Sequence, residues 1–204
     1  MPLESLREVL DVDYRGPRAV FTQVHVLKAI LAIGRSGSVG RGKLGVLTGL
    51  GQGEVRTLIR RLKDNDLITI GANGCGLSER GKAEYVKISS VLRWSSPVDA
   101  RRLNIGGHCW AVAVAGGAKK VRYGLEQRDA AIKAGSDGAF TAVSKGGRFT
   151  VPGEGSDCER DGPGEPWVSA RRMGISDGDA VVVTGSSGDA DSENGALAAF
   201  LTLV

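Results

Sequence analysis

Apolar residues recur at helical spacing through the first half of the chain. Leu3, Leu6 and Leu10 share one side of residues 3–12, which predicts a short helix broken by Tyr14-Arg15-Gly16-Pro17. Val24, Leu27, Ile30 and Leu31, with Lys28 and neighbouring alanines, predict a strongly apolar helix over 22–34 that carries His25, read as a structural or surface histidine. Arg35-Ser36-Gly37-Ser38 closes it, and Leu44 and Leu47 supply the apolar side of a shorter helix that follows. Next comes Thr48-Gly49-Leu50-Gly51-Gln52-Gly53, whose glycines tolerate the positive φ of a tight inter-helix turn. Glu54 then sits near a helix start, where a carboxylate suits the dipole, and Val55, Leu58, Ile59 and Leu62 fall at i, i+3, i+4 and i+7. The period then changes. Leu67-Ile68-Thr69-Ile70 reads as a strand, Gly71-Ala72-Asn73-Gly74 as a turn and Cys75-Gly76-Leu77 as the returning strand. Ser78 is the expected N-cap of a helix through about Ser89, with Tyr85, Val86 and Ile88 on it.

The second half patterns differently. Cys109–Ala115 and Ala180–Thr184 are short β-rich apolar runs, expected as buried strands. Phe140–Ser144 and Arg148–Val151 flank Lys145-Gly146-Gly147 as a hairpin, and Glu126–Ala134 reads as a helix ended by Gly135. Residues 152–166 are polar and turn-rich and read as a loop, 167–173 as a short element, 185–194 are again polar, and 195–204 read as a closing helix, with a strand as the lesser option. Ser95-Ser96-Pro97 marks the expected boundary between the halves, because proline disfavours helix at the residue before it.

The polar faces of the central elements carry the candidate chemistry. Arg56, Arg60, Arg61 and Lys63 fall mainly away from the Val55–Leu62 stripe, so one side of that helix is core and the other cationic. A DNA major groove admits one helix, and arginine serves both phosphates and guanine edges. Gln52, Arg56 and Thr57, near the helix start, are the candidates for base contact, and Arg60 and Arg61 are the expected phosphate clamps. Arg41 and Lys43 on the preceding helix, Lys63, and Asn73 in the hairpin turn complete the predicted nucleic-acid-binding set. An arginine face on a lone helix is usually a solvated surface. What argues otherwise is the whole order: helix, glycine turn, basic helix, hairpin, capped helix, the order of a winged helix-turn-helix.

Charge sharpens this division. The 204 residues carry a net +4, yet residues 1–94 hold 15 Lys and Arg against 9 Asp and Glu, and residues 95–204 hold 12 against 14. A basic half joined to a slightly acidic one suits a DNA-binding head on a domain with another task. Three cysteines far apart form no disulfide framework and no zinc spacing. His108 and Cys109, adjacent in a strand, are expected on opposite faces, so no metal site is predicted. Glycine is abundant at 31 residues with no repeat, which implies many tight turns. The longest apolar run falls short of the roughly 18 residues a membrane span needs, and the first ten residues lack a signal-peptide layout, so the expected location is the cytoplasm.

The run GRGKLGVLTGLGQGEVRTLIRRLKDNDLI followed by GLSERGKAEY resembles the N-terminal winged helix of an uncharacterised archaeal family of two-domain regulators, the DUF4443 family. It is similar, more loosely, to the winged helix of the bacterial CggR and SorC repressors. Residues 124–135, GLEQRDAAIKAG, resemble the archaeal family as well. The resemblance implies a transcriptional regulator and supplies no ligand or catalytic residue.

The expected fold class is therefore α+β: a winged helix-turn-helix domain over 1–94, then a small α/β sandwich-type domain over 97–204 for ligand sensing or oligomerisation. The expected partners are double-stranded DNA, a small-molecule effector and a second copy of the chain, since regulators of this kind often dimerise through flanking helices. No cofactor and no catalytic residue are predicted. In the second half, Glu126, Arg128 and Asp129 at a helix start are the candidate ligand-binding residues, and equally suit capping and surface charge. Asp177 and Asp179 read as turn residues before a strand rather than a metal pair, and Gly185-Ser186-Ser187-Gly188 lacks the lysine and spacing of a P-loop. The alternative reading is a ligand-binding protein or enzyme whose N-terminal module is an auxiliary RNA or protein contact.

Overall fold

The structure, a computed structural model, describes residues 4–10 and 20–204. Leu3 and the expected helix break at 14–17 lie outside them. The chain divides into two compact units, Met1–Ser89 and Ser90–Val204. As expected it mixes helix and sheet, and both sheets are open.

The first unit runs α1 (Glu4–Glu8), α2 (Gln23–Ser36), β1 (Ser38–Val39), α3 (Arg41–Thr48), α4 (Gln52–Asp64), β2 (Ile68–Gly71), β3 (Gly74–Leu77) and α5 (Glu79–Val91). Its strands form an antiparallel sheet in the order β1-β3-β2. Leu6, Leu27, Ile30, Ile33, Leu44, Leu58, Leu62, Leu67 and Ile88 are wholly buried, so each of the five helices commits at least one apolar side chain to the interior. One expectation fails on α3. Leu47 is 38% exposed, and Thr48 is buried in its stead, its hydroxyl donating to the Leu44 carbonyl at 2.6 Å. That internal bond satisfies the hydroxyl locally, so a threonine can occupy a core position near the helix end. α4 starts at Gln52 because Glu54 accepts the Gly51 N–H at 2.9 Å. Ser78 caps α5 as predicted, its hydroxyl accepting the Gly81 N–H at 3.0 Å. A Cβ on Gly81 would lie 1.9 Å from the Leu67 carbonyl oxygen, so α5 sits on the β2 approach only because that residue is glycine.

The second unit contains β4 (Leu92–Val98), β5 (His108–Val114), α6 (Leu125–Lys133), β6 (Gly138–Lys145), β7 (Arg148–Thr150), α7 (Cys158–Asp161), α8 (Trp167–Arg172), β8 (Ala180–Ser186) and α9 (Asp189–Leu201). The strands make one sheet in the order β4-β5-β8-β6-β7, and every pairing is antiparallel. Ala111 and Ala113 of β5 and Val181 and Val183 of β8 point to one face, into a cluster with Trp94, Phe149 and Trp167. Phe149 and Trp167 stack with centroids 5.4 Å apart. The alternate residues point to the other face, covered by α6 and α9, where the Thr184 hydroxyl donates to the Ser192 carbonyl at 2.6 Å. With both faces covered, β8 is buried along its whole length.

Three expectations in this half are corrected. Ser95-Ser96-Pro97, the expected boundary, lies in the middle of β4 inside the second unit, with Pro97 opposite Trp110. β4 is an edge strand, and there a proline removes no ladder bond. The closing helix starts before 195: β8 continues to Ser186 and α9 begins at Asp189, within the polar stretch 185–194. Gly188 is the N-cap, and the carboxylates of Asp189 and Asp191 suit the positive end of the dipole, so a polar stretch hides a helix start. Within 152–166 the Asp157 carboxylate accepts the Glu159 N–H at 3.0 Å and the Arg160 N–H at 3.2 Å, which nucleates the short helix α7. Among the described residues no helix is long and apolar enough to cross a membrane.

Candidate nucleic-acid interface

α4 sorts its side chains by helical geometry. Val55, Leu58, Ile59 and Leu62 are buried, as their spacing predicted. Gln52, Arg56, Arg60 and Lys63 are exposed, and together with half-buried Thr57 they fill one continuous sector on the far side of the helix. The Thr57 hydroxyl donates to the Gly53 carbonyl at 3.1 Å, which leaves its lone pairs outward.

Arg61 departs from the prediction. Its residue is 4% exposed, and its Nη1 donates to the Val9 and Leu10 carbonyls at 3.3 and 3.4 Å. Its guanidinium also lies 5.3 Å from the centre of the Phe21 ring. Arg61 thus ties the end of the first helix to α4 and is not a phosphate clamp. Its position held the signal. Arg61 flanks the apolar stripe on the side opposite Arg56 and Lys63, so it shares no face with them.

The other predicted contacts stand at the edges of the same unit. Arg41 and Lys43 lie exposed in the first turn of α3, which has no acidic residue there. Asn73 is exposed between β2 and β3, and its carbonyl accepts the Ser38 hydroxyl at 2.8 Å, which fixes the hairpin end to β1. His25 serves structure: its Nδ1 accepts the Thr22 N–H at 3.0 Å at the start of α2. Burial, and Lys28 after it, push its pKa below the usual histidine value against an opposing pull from Glu54.

In the second unit, Glu126, Arg128 and Asp129 lie on the exposed side of α6, with Arg128 and Asp129 paired at 3.6 Å. Asp177 and Asp179 hold loops. Asp177 accepts the Gly146 and Gly147 N–H groups at 2.8 and 2.9 Å, and these bonds lower its pKa. Asp179 accepts the Gly116 N–H at 2.9 Å and meets Arg93 at 3.3 Å. Sequence reasoning missed a groove of about 460 Å³ lined by Val98, Asp99, Arg101, His108 and Asp189. His108 Nδ1 lies 2.8 Å from Asp189 Oδ1, and Asp99 grips Arg101 through Oδ1 at 2.9 Å and Oδ2 at 2.5 Å. The arginine bonds hold the Asp99 pKa down at about 2. A second cavity of about 550 Å³ shares Asp99 and Arg101. Glu126, Arg128 and Asp129 line neither. The residues of the groove come from β4, β5, α9 and the loop after β4, so no local run of sequence announces it.

The fold is similar to that of a hypothetical protein, PH0730, from Pyrococcus horikoshii OT3, with a TM-score of 0.70 and 25% identity over 90% of this chain and 92% of that one. No curated protein matches the chain. The likeness of the first half to the CggR and SorC repressors finds no support among these matches. The archaeal family expected mainly from about 70 residues at the N-terminal end is matched instead through the second unit, where 124–135 carried the lesser part of the resemblance. Residues 105–203 match the family model described as "Domain of unknown function (DUF4443)".

Proposed function

We propose that the first unit is a winged helix-turn-helix module that binds duplex DNA, and that the chain is a transcriptional regulator. In this reading α3 and α4 are the helix-turn-helix, α4 enters the major groove, and β2–β3 is the wing. The observation that carries it is the exposed sector of α4, with Gln52, Arg56 and Lys63 in line opposite a buried apolar face. Arg41 and Lys43 add to it. Two cations in the first turn of α3 oppose the helix dipole, at about 0.3–1 kcal/mol each. A phosphate at that end would reverse the sign.

The second unit then senses an effector or sets the oligomer. The groove beside His108 has the size of a small-molecule site, which typically spans about 300–1,000 Å³. An effector there would act by its differential affinity for two states of the chain. The same groove favours the other reading, a ligand-binding protein or enzyme whose N-terminal module is an auxiliary RNA or protein contact. Duplex affinity separates the two.

Selection of genomic fragments at moderate salt should recover a duplex site, with half-site spacing that reports a dimer. Affinity for that site should fall with a log–log salt slope of about −0.9 per phosphate contact. Arg56→Ala combined with Arg60→Ala should weaken binding at least tenfold and flatten the slope. Arg61→Ala should lower the melting temperature and leave the slope alone. A wild-type chain with no duplex affinity at low salt would overturn the regulator reading.

A further inference from the structure

The link between β5 and α6 gathers charge that neither the fold nor the proposed duplex reader uses. Lys119 and Lys120 lie at the end of a 3₁₀ turn, Gly117–Lys120, and are exposed, as is Arg122. Among the described residues none of the three is in an ion pair. They stand on a half of the chain in which acids outnumber bases, 14 to 12 over residues 95–204, so a bulk positive balance does not account for them.

Tyr123 follows directly and is 71% exposed. A tyrosine usually buries most of its ring, so an open one needs a reason. This ring is also held. A Cβ on Gly153 would lie 2.6 Å from its Cδ1 and 2.7 Å from its Cε1, so the ring edge rests on a glycine whose φ of +85° keeps other residues out. Both ends of the link are anchored. At Gly117 a Cβ would come within 3.1 Å of Val114 and Ala180, and at Gly124 within 2.9 Å of Thr141. The backbone is therefore packed on the sheet while three cations and an aromatic face stay in solvent.

We propose that Lys119, Lys120, Arg122 and Tyr123 form a binding surface for single-stranded nucleic acid. The cations take consecutive phosphates, and Tyr123 gives an unpaired base a ring to stack on. A duplex keeps its bases stacked inside and offers nothing to that ring. An acidic peptide would use the cations and leave the ring idle. The surface lies in the second unit and does not depend on α4.

The test uses the full chain and fluorescent twelve-nucleotide oligo-dT and oligo-U, with anisotropy read at several salt concentrations. Both oligomers should bind, with a log–log salt slope that includes about −0.7 for each phosphate neutralised. Tyr123→Ala should weaken binding about 5- to 150-fold, the range for loss of one stacked base. Tyr123→Phe, which keeps the ring, should restore most of it. Lys119→Ala/Lys120→Ala/Arg122→Ala should flatten the slope by about 2. Arg56→Ala/Arg60→Ala should leave these oligomers bound, so the fate of this surface is read apart from that of the duplex reader. Preference between oligo-dT and oligo-U tells DNA from RNA. An unaltered melting temperature for each variant shows the fold intact. Absence of single-strand binding, or equal affinity for Tyr123→Ala and Tyr123→Phe, overturns the proposal.

Discussion

His25 shows how a single side chain couples proton uptake to the fold. Its Nδ1 accepts the Thr22 N–H at 3.0 Å, and only the unprotonated nitrogen can do so. Burial and Lys28 lower its pKa from the ordinary 6.5, so the unfolded chain takes up the proton more readily than the folded one. The contribution to stability is whole above pH 6.5, declines as pH falls below that value toward the folded pKa, and levels off beneath it. His25→Gln should remove this decline, because glutamine three residues after Thr22 completes a capping box without titrating. Melting temperatures of the two proteins between pH 8 and about pH 5 check it; parallel curves would refute the assignment. Arg61 teaches a second lesson at this scale. Its charge matched Arg56 and Arg60 in sequence, but the end of the first helix lay nearby, and carbonyls there took the guanidinium.

At the scale of elements, α4 depends on its buried stripe. Leu58 is wholly buried and its truncation leaves a hole, so Leu58→Ala should cost about 2–5 kcal/mol in denaturant melts. Gly81→Ala should also be strongly destabilising, for a different reason: backbone at 1.9 Å cannot yield as a side chain would. A near-neutral Gly81→Ala would mean that α5 does not pack against Leu67 as described. Helices with periodic apolar residues and strands of β-branched runs were legible in the sequence: α2, α4, α5, β5 and β8 all formed where spacing and composition predicted. Helix starts inside polar, acidic stretches were not. The whole of α7 rests on the Asp157 carboxylate accepting backbone N–H groups, and the first turn of α9 carries Asp189 and Asp191 in place of apolar residues, neither of which a hydrophobicity pattern registers.

The whole molecule has two cores, and its cysteines report on each. Cys75 lies in the first unit, Cys109 and Cys158 in the second, and all three are buried thiols. Burial raises every one of their pKa values, and with help from Asp157 takes Cys158 up to about 12. The thiolate is the reactive form, so labelling at pH 8 waits for the surrounding unit to open. Leu58→Ala should therefore speed labelling of Cys75 and leave Cys109 and Cys158 slow. Equal acceleration of all three would show that the units open as one, against the expectation for separate cores.

The residues alone determined the mixed helix-and-sheet character, the order of elements in the first half, the apolar face of α4 and the cation-rich face beside it. Those follow from spacing, and spacing is a local property. Tertiary structure alone decided which cations face solvent, that Ser95–Pro97 lies within an edge strand rather than at the boundary between the halves, and that His108 and Asp189 meet beside Arg101. Each of those depends on which distant segment arrives alongside, and the burial of a charge or the walls of a groove come into being only when it does.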